Sequence, residues 1–316
     1  MPSPRRIDVH FHHIPPFYSE AVYAAGRGPA IGRYPEWTPQ LALELMDAHG
    51  IEVALTSLAQ PGVGFGTAES AQELSRRCND YAADLIARWP KRFGAFATVP
   101  MWSVDGAVAE IRRSLEALKF DGVSLFASYG ERYLGDPWFD PVLELLNERN
   151  TVVFVHPTLH PSSKAVALPW PAFMMEYLFD TTRAVVNLIF SGAIARFPRV
   201  QFILPHAGGL VPYFSWRLSV SPMIDKRLPQ LSREHVFAGL AHFWYDNALS
   251  PGETTFGTLD QVARPERIVF GTDYPFANPR IIAEAVKTHE GGFLPDAKRA
   301  AIDRTNALAL FPRYAD

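Results

Sequence analysis

Short apolar runs recur along the chain, and most are followed by a stretch whose apolar positions repeat every three or four residues. Eight runs are candidate strands: 6–10 (RIDVH), 52–58 (EVALTSL), 93–99 (FGAFATV), 122–127 (GVSLFA), 152–156 (VVFVH), 201–206 (QFILPH), 243–249 (FWYDNAL) and 267–273 (RIVFGTD). They are apolar almost throughout instead of alternating, which marks parallel strands covered on both faces. The segments between them read as helices. One is framed by Thr38 as N-cap, Pro39 at the first helical position and Gly50 past the end. Residues 69–89 keep the helical spacing, residues 103–118 open on Ser103 as a cap, and 136–150 and 180–197 behave alike.

Strand–helix units in this number predict a single (β/α)8 TIM-type barrel, one domain over residues 1–316. A doubly wound open sheet is the competing α/β architecture. It would place a glycine-rich phosphate loop after the first strand, where this chain has histidines. The longer connections, 13–37 and 157–172, both follow strands. In a barrel they stand at the C-terminal mouth as candidate lids.

Composition narrows the function. The 316 residues are 48% hydrophobic and 20% charged, enough to bury a large core. A net charge of −3 provides no basic field for nucleic acid or an anionic membrane. The basic start, MPSPRR, leads into no apolar signal segment, and no run of 18 apolar residues follows anywhere. Cys78 is the only cysteine, which excludes an internal disulfide and suits a reducing compartment such as the cytoplasm.

The polar residues at the strand ends carry the candidate chemistry. In a strand, side chains two apart share a face, so His10 and His12 converge while His13 turns toward a neighbouring loop. Two imidazoles at a barrel mouth suit a divalent cation of the zinc type. Taken alone, the pair reads equally well as core or surface histidines. His156, His206 and Asp273 are each the first strongly polar group after a later apolar strand. Singly, each reads as a capped strand end, and Asp273 as the cap of a helix starting near Pro275. Together with His10 and His12 they fall on the first, fifth, sixth and eighth strands, whose ends form one rim. Such a set holds a dication and leaves a position open for water or substrate. Asp246, ending the seventh strand, either orients a ligand or is a structural carboxylate. His49, His160, His235, His242 and His289 lie outside the pattern and are assigned structural or surface places.

The motifs IDVHFH, FVHP, PHAGG and GTDYPF, in this order, resemble the metal-dependent amidohydrolase superfamily. More narrowly they resemble its decarboxylase branch, typified by α-amino-β-carboxymuconate-ε-semialdehyde decarboxylase. RFGAFATVP, LPW, FDTTRAVVNLIFSGAIARFP and NALALF extend the likeness over the whole chain, and YPEWTPQ, ASYGERYLG and SLAQPGV are similar to the 6-methylsalicylate decarboxylases. The resemblance implies one divalent metal ion on His10, His12, His156 and Asp273. Zinc suits these ligands, and manganese is the alternative. His206 corresponds to the histidine that stands beside the metal instead of binding a second one. The fourth strand, GVSLFA, has no lysine to bridge two metals. Trp170 and Phe276 correspond to aromatic residues of the substrate pocket. Arg33 and Arg217 correspond to arginines that hold the substrate carboxylate, which implies a homodimer with Arg217 acting across it.

The activity this implies is nonoxidative decarboxylation of a small aromatic or unsaturated carboxylic acid. Asp273 or His206 delivers the proton. A hydrolase cleaving a C–N, ester or C–C bond is the rival that shares the same residues. A barrel that only binds would lack one or more of His10, His12, His156, His206 and Asp273, and all five are present.

Overall fold

The computed structural model describes residues 5–166 and 168–315. Eight parallel strands stand side by side in chain order: β1 Arg6–His12, β2 Ile51–Ser57, β3 Phe93–Thr98, β4 Gly122–Phe126, β5 Val152–His156, β6 Gln201–Leu204, β7 Trp244–Asp246 and β8 Ile268–Val269. The segment after β8 returns to β1. Val9 N–H donates to Phe270 O (3.0 Å), Asp273 N–H to His10 O (2.8 Å) and His12 N–H to Tyr274 O (2.7 Å). A parallel bridge pairs Phe11 with Tyr274. The sheet is thereby a nearly closed (β/α)8 barrel.

Two apolar layers explain why the strands lack alternation. Inside, Ile7, Val9, Val53, Leu55, Phe96, Phe154, Ile203, Trp244 and Val269 meet over a floor made by Ala307, Phe311 and Tyr314. Outside, Phe11, Ala54, Phe93, Val123, Val155, Phe202 and Phe270 pack beneath the helices. Burying one such side chain contributes about 1.5–3 kcal/mol, so both faces of every strand are selected to be apolar.

The helices that bear on the site are α1 Pro16–Ala24, α2 Pro39–Ala48, α3 Ala68–Arg88, α4 Val104–Glu116, α5 Asp140–Glu148, α6 Glu176–Phe190, α7 Ala193–Arg196 and α8 Val211–Ile224. The expected caps form: Thr38 Oγ1 accepts Leu41 N–H (3.1 Å) and Ser103 Oγ accepts Gly106 N–H (2.9 Å). The stretch 180–197 is broken, because Gly192 takes φ +74° between α6 and α7. The loop 13–37 is not bare. It carries α1, whose Tyr18 and Val22 are buried against Leu58, Val63, Leu74 and Cys78. Three strands end two or more residues earlier than the sequence pattern indicates, β7 among them at Asp246. β6 stops at Leu204, since Pro205 has no N–H for the ladder and His206 and Ala207 turn left-handed (φ +52° and +55°). β8 stops at Val269, and Asp273 is likewise left-handed (φ +64°). His206 and Asp273 therefore stand just beyond their strands. Among the described residues no helix is long and apolar enough to cross a membrane.

Candidate metal centre

His10 and His12 come from the end of β1, His156 from the last residue of β5, and Asp273 from the turn after β8. One ligand atom from each lies within 4.8 Å of all the others, and all four residues are buried. Asp273 Oδ1 stands 3.2 Å from His12 Nε2 and 3.4 Å from His10 Nε2. Neither nitrogen has a hydrogen-bond partner of acceptable geometry. Buried polar atoms are rarely left so. Two orphaned imidazole nitrogens converging on a carboxylate fit one divalent cation.

The opposite edges of the rings are tied down. His10 Nδ1–H donates to Asp246 Oδ2 (2.7 Å). That fixes the tautomer and leaves Nε2 as the ligand atom. Asp246 Oδ1 also accepts His206 N–H (2.8 Å) and Ala248 N–H (3.0 Å). The seventh-strand carboxylate thus orients the ring of His10, a candidate ligand. His12 Nδ1 sits 3.1 Å from Ser57 Oγ, and His156 Nδ1–H donates to Pro157 O (2.7 Å).

Electrostatics match this arrangement. Burial alone would lower the His10 imidazolium, but Asp246 and Asp273 outweigh it and raise it to about 10. Burial holds His12 below its ordinary value, and burial with His12 and His10 nearby holds His156 well below. Burial would raise the Asp273 carboxyl, yet the surrounding histidines, His10 foremost, keep it well below the carboxylate range. The ionised Asp273 beside the neutral His12 and His156 suits a cation, whereas His10, held as an imidazolium by its two carboxylates, would release a proton to an ion it ligates.

His206 stands apart from the four. Its Nε2 is 3.6 Å from Asp273 Oδ2, the oxygen turned away from the histidine pair. Its left-handed backbone is followed by Gly208 and Gly209, where a Cβ would come within 2.7 Å of the Tyr245 ring and 2.5 Å of Leu178 O. Only glycine fits that turn.

Phe276 is half-buried, its ring 5.4 Å from that of His12. Arg33 and Arg217 are exposed. Trp170, 67% exposed, lines a separate hollow of about 210 Å³ with Leu159, Leu168 and Met174. Residues the sequence reading did not single out complete the walls. The rings of Phe126 and Tyr177 lie 6.1 and 6.2 Å from that of His156. Tyr177 OH donates to Gln60 Oε1 (3.2 Å). Their only sequence signal is position at the end of an apolar strand or at a helix start. His13 is a bystander: buried, stacked on Tyr81 at 6.0 Å and edge-on to Trp37. Asp273 caps no helix, because Asn278 caps the one that begins at Pro279.

A barrel bearing three histidines and a carboxylate at its C-terminal mouth, with a fourth histidine beside them, defines the class as metal-dependent (β/α)8 enzymes. Residues 7–313 match the amidohydrolase family, and the chain belongs to it. It is 36% identical to the decarboxylase yanB of Aspergillus niger, covering 98% of this chain and 88% of that protein. It is 34% identical to a 6-methylsalicylic acid decarboxylase of Penicillium expansum, covering 98% and 96%. Among solved structures, a 2,6-dihydroxybenzoate decarboxylase from Rhizobium superposes with a TM-score of 0.81 at 26% identity, over 98% of this chain and 99% of that one.

Proposed function

We propose that this chain is a metal-dependent, nonoxidative decarboxylase acting on a small aromatic acid of the salicylate type. One observation carries the reading: Asp273 directs Oδ1 to the orphaned nitrogens of His10 and His12 and Oδ2 to His206. His10, His12, His156 and Asp273 would hold one divalent ion. Zinc best suits so nitrogen-rich a set, with manganese as the alternative that metal analysis separates. When bound, the ion supplies a Lewis acid for the negative charge of the carboxylate and an adjacent ring oxygen.

The chain's own residues do the rest. Phe276, Phe126 and Tyr177 flank the histidines and would give the substrate ring apolar faces. His206 Nε2, 3.6 Å from Asp273 Oδ2, would deliver a proton to the ring carbon that bears the carboxylate. The bond to the carboxylate then breaks, its electron pair returns to the ring, and CO2 leaves. Solvent restores the proton. Burial of the four histidines and Asp273 strengthens their electrostatics. Arg33 and Trp170 are proposed to meet the substrate from the two long loops. Residues 1–316 act as one domain, and the lone buried Cys78 supports a reducing compartment such as the cytoplasm.

A homodimer is part of the proposal. Helix α8 exposes Tyr213, Trp216, Met223 and Ile224 by 64–76% around Arg217, an apolar face suited to a second copy. Sedimentation of the purified chain as a monomer would overturn it.

The test of the activity is CO2 release from a panel of salicylate-type acids by metal-loaded protein. Chelation should abolish release and re-addition of metal restore it. His156→Ala should lose both metal and turnover, whereas His206→Asn should keep the metal and lose turnover by about 10²–10⁴-fold. Hydrolysis of an amide or lactone without CO2 from any acid would replace this reading with the hydrolase one. Far less than one metal per chain, unrecoverable on reconstitution, would leave only a binding barrel.

A further inference from the structure

The inward-facing residues of β1 break the two-residue period of a strand. Ile7 and Val9 belong to the barrel interior, and so do His10 and His12, while Phe11 packs outward beneath the helices. Continued alternation from Val9 would put Phe11 and His13 inside and turn both metal-site histidines out, because a one-residue slip flips every later side chain.

The slip is visible in the pairing with β2. Asp8 pairs with Ala54 and Phe11 with Thr56, so β1 spends one residue more than its neighbour over this interval. Such bulges are uncommon in parallel sheets. This one has a specific partner. Asp8 is fully buried, and its Oδ1 accepts His10 N–H at 2.9 Å, the peptide within the extra-residue interval. The same oxygen accepts Thr272 N–H (3.2 Å), and Oδ2 accepts Thr272 Oγ1–H (2.6 Å). Thr272 precedes Asp273. A single carboxylate therefore grips the peptide of one candidate ligand and the residue before another, across the seam where the barrel closes.

We propose that Asp8 is a positioning residue that fixes this bulge, so that His10 and His12, and not Phe11 and His13, face the cation. The proposal rests on the metal reading above. An apolar residue at position 8 would leave the His10 and Thr272 N–H groups unpaired in the barrel wall, and the strand could recover its alternation only by rotating the ligands away.

Zn2+ affinity, measured by chelator competition in samples shown by circular dichroism to be folded, tests it. Asp8→Ala is expected to bind about 10–100-fold more weakly, the loss typical when a partner behind a ligand is removed. Its Co2+-loaded form should show a shifted visible spectrum. Asp8→Asn keeps an acceptor for His10 N–H and should recover affinity to within about 10-fold. Wild-type affinity and an unchanged Co2+ spectrum in folded Asp8→Ala would overturn the proposal, since the carboxylate would then only stabilise the seam. Should Asp8→Ala not fold, Thr272→Val takes its place. A several-fold loss reversed in Thr272→Ser supports the role, and no loss in either rejects it. A wild type that takes up no metal removes the metal reading itself, and this inference with it.

Discussion

At Asp246 three hydrogen bonds converge on one fully buried carboxylate, from His10 Nδ1 and from the peptides of His206 and Ala248. One side chain thereby sets the tautomer of a candidate metal ligand and the position of the candidate proton donor. Asp246→Ala should weaken metal binding by about 10–100-fold and lower turnover further than metal saturation restores. Isothermal titration with Zn2+ beside saturating-metal kinetics would check it, and unchanged affinity would refute it. The sequence left Asp246 between orienting a ligand and a structural place, because the partners that decide it, His10 and His206, lie 236 and 40 residues away. His10, His12 and His156 were legible for a different reason. Each is a polar group interrupting or ending an apolar strand, a placement that costs free energy unless the group is used.

At the scale of elements, local chemistry was readable wherever one residue acts on its own backbone. Thr38, Pro39 and Gly50 frame α2 as their types predict. Thr38→Ala should destabilise the barrel by about 1 kcal/mol, lowering the melting temperature by about 2 °C or somewhat less for a chain of this size. A scan by circular dichroism would detect this, with metal content unchanged. Helix α1 was not legible. Its sequence, PFYSEAVYA, has Pro15 before Pro16 and no side-chain cap, and it is held by contacts with residues 58–78. The ends of β6 and β8 were overestimated because apolar character continues after the ladder stops. Left-handed residues at His206 and Asp273 follow these ends, and nothing in side-chain periodicity reports them.

Across the whole molecule, the first strand is locked to the C-terminal segment through a buried ion pair. Arg6, 2% exposed, donates from Nε to Asp303 (2.9 Å) and from its terminal nitrogens to Glu290 (2.6 Å) and His49 O (2.6 Å). His289 Nε2 lies 3.0 Å from the same Asp303 oxygen. Burial would raise the Asp303 carboxyl, but the His289 hydrogen bond and the Arg6 guanidinium hold it below its ordinary value. A carboxyl depressed in the folded state stabilises above its unfolded pKa, about 4, and that contribution is lost as pH falls through the folded value. Urea midpoints of the wild type should therefore drop on acidification below about pH 4. In Asp303→Asn the drop should be shallower, and equal slopes would refute the assignment. Much of this protein follows from the sequence by itself: eight strands apolar on both faces dictate a covered parallel sheet, and the polar groups at their ends lie on one rim once that sheet closes. Side-chain chemistry and period two or 3.6 are local properties, so they survive without coordinates. Period two already paired His10 with His12 and turned His13 away, but the tertiary structure alone put that pair on the same face as Ile7 and Val9, through the bulge at Asp8, whose partner Thr272 is 264 residues away. It likewise decided that Asp246 serves His10 and that Asp273 divides its two oxygens between a cation site and His206. Those choices depend on register across the barrel seam, which no local pattern encodes.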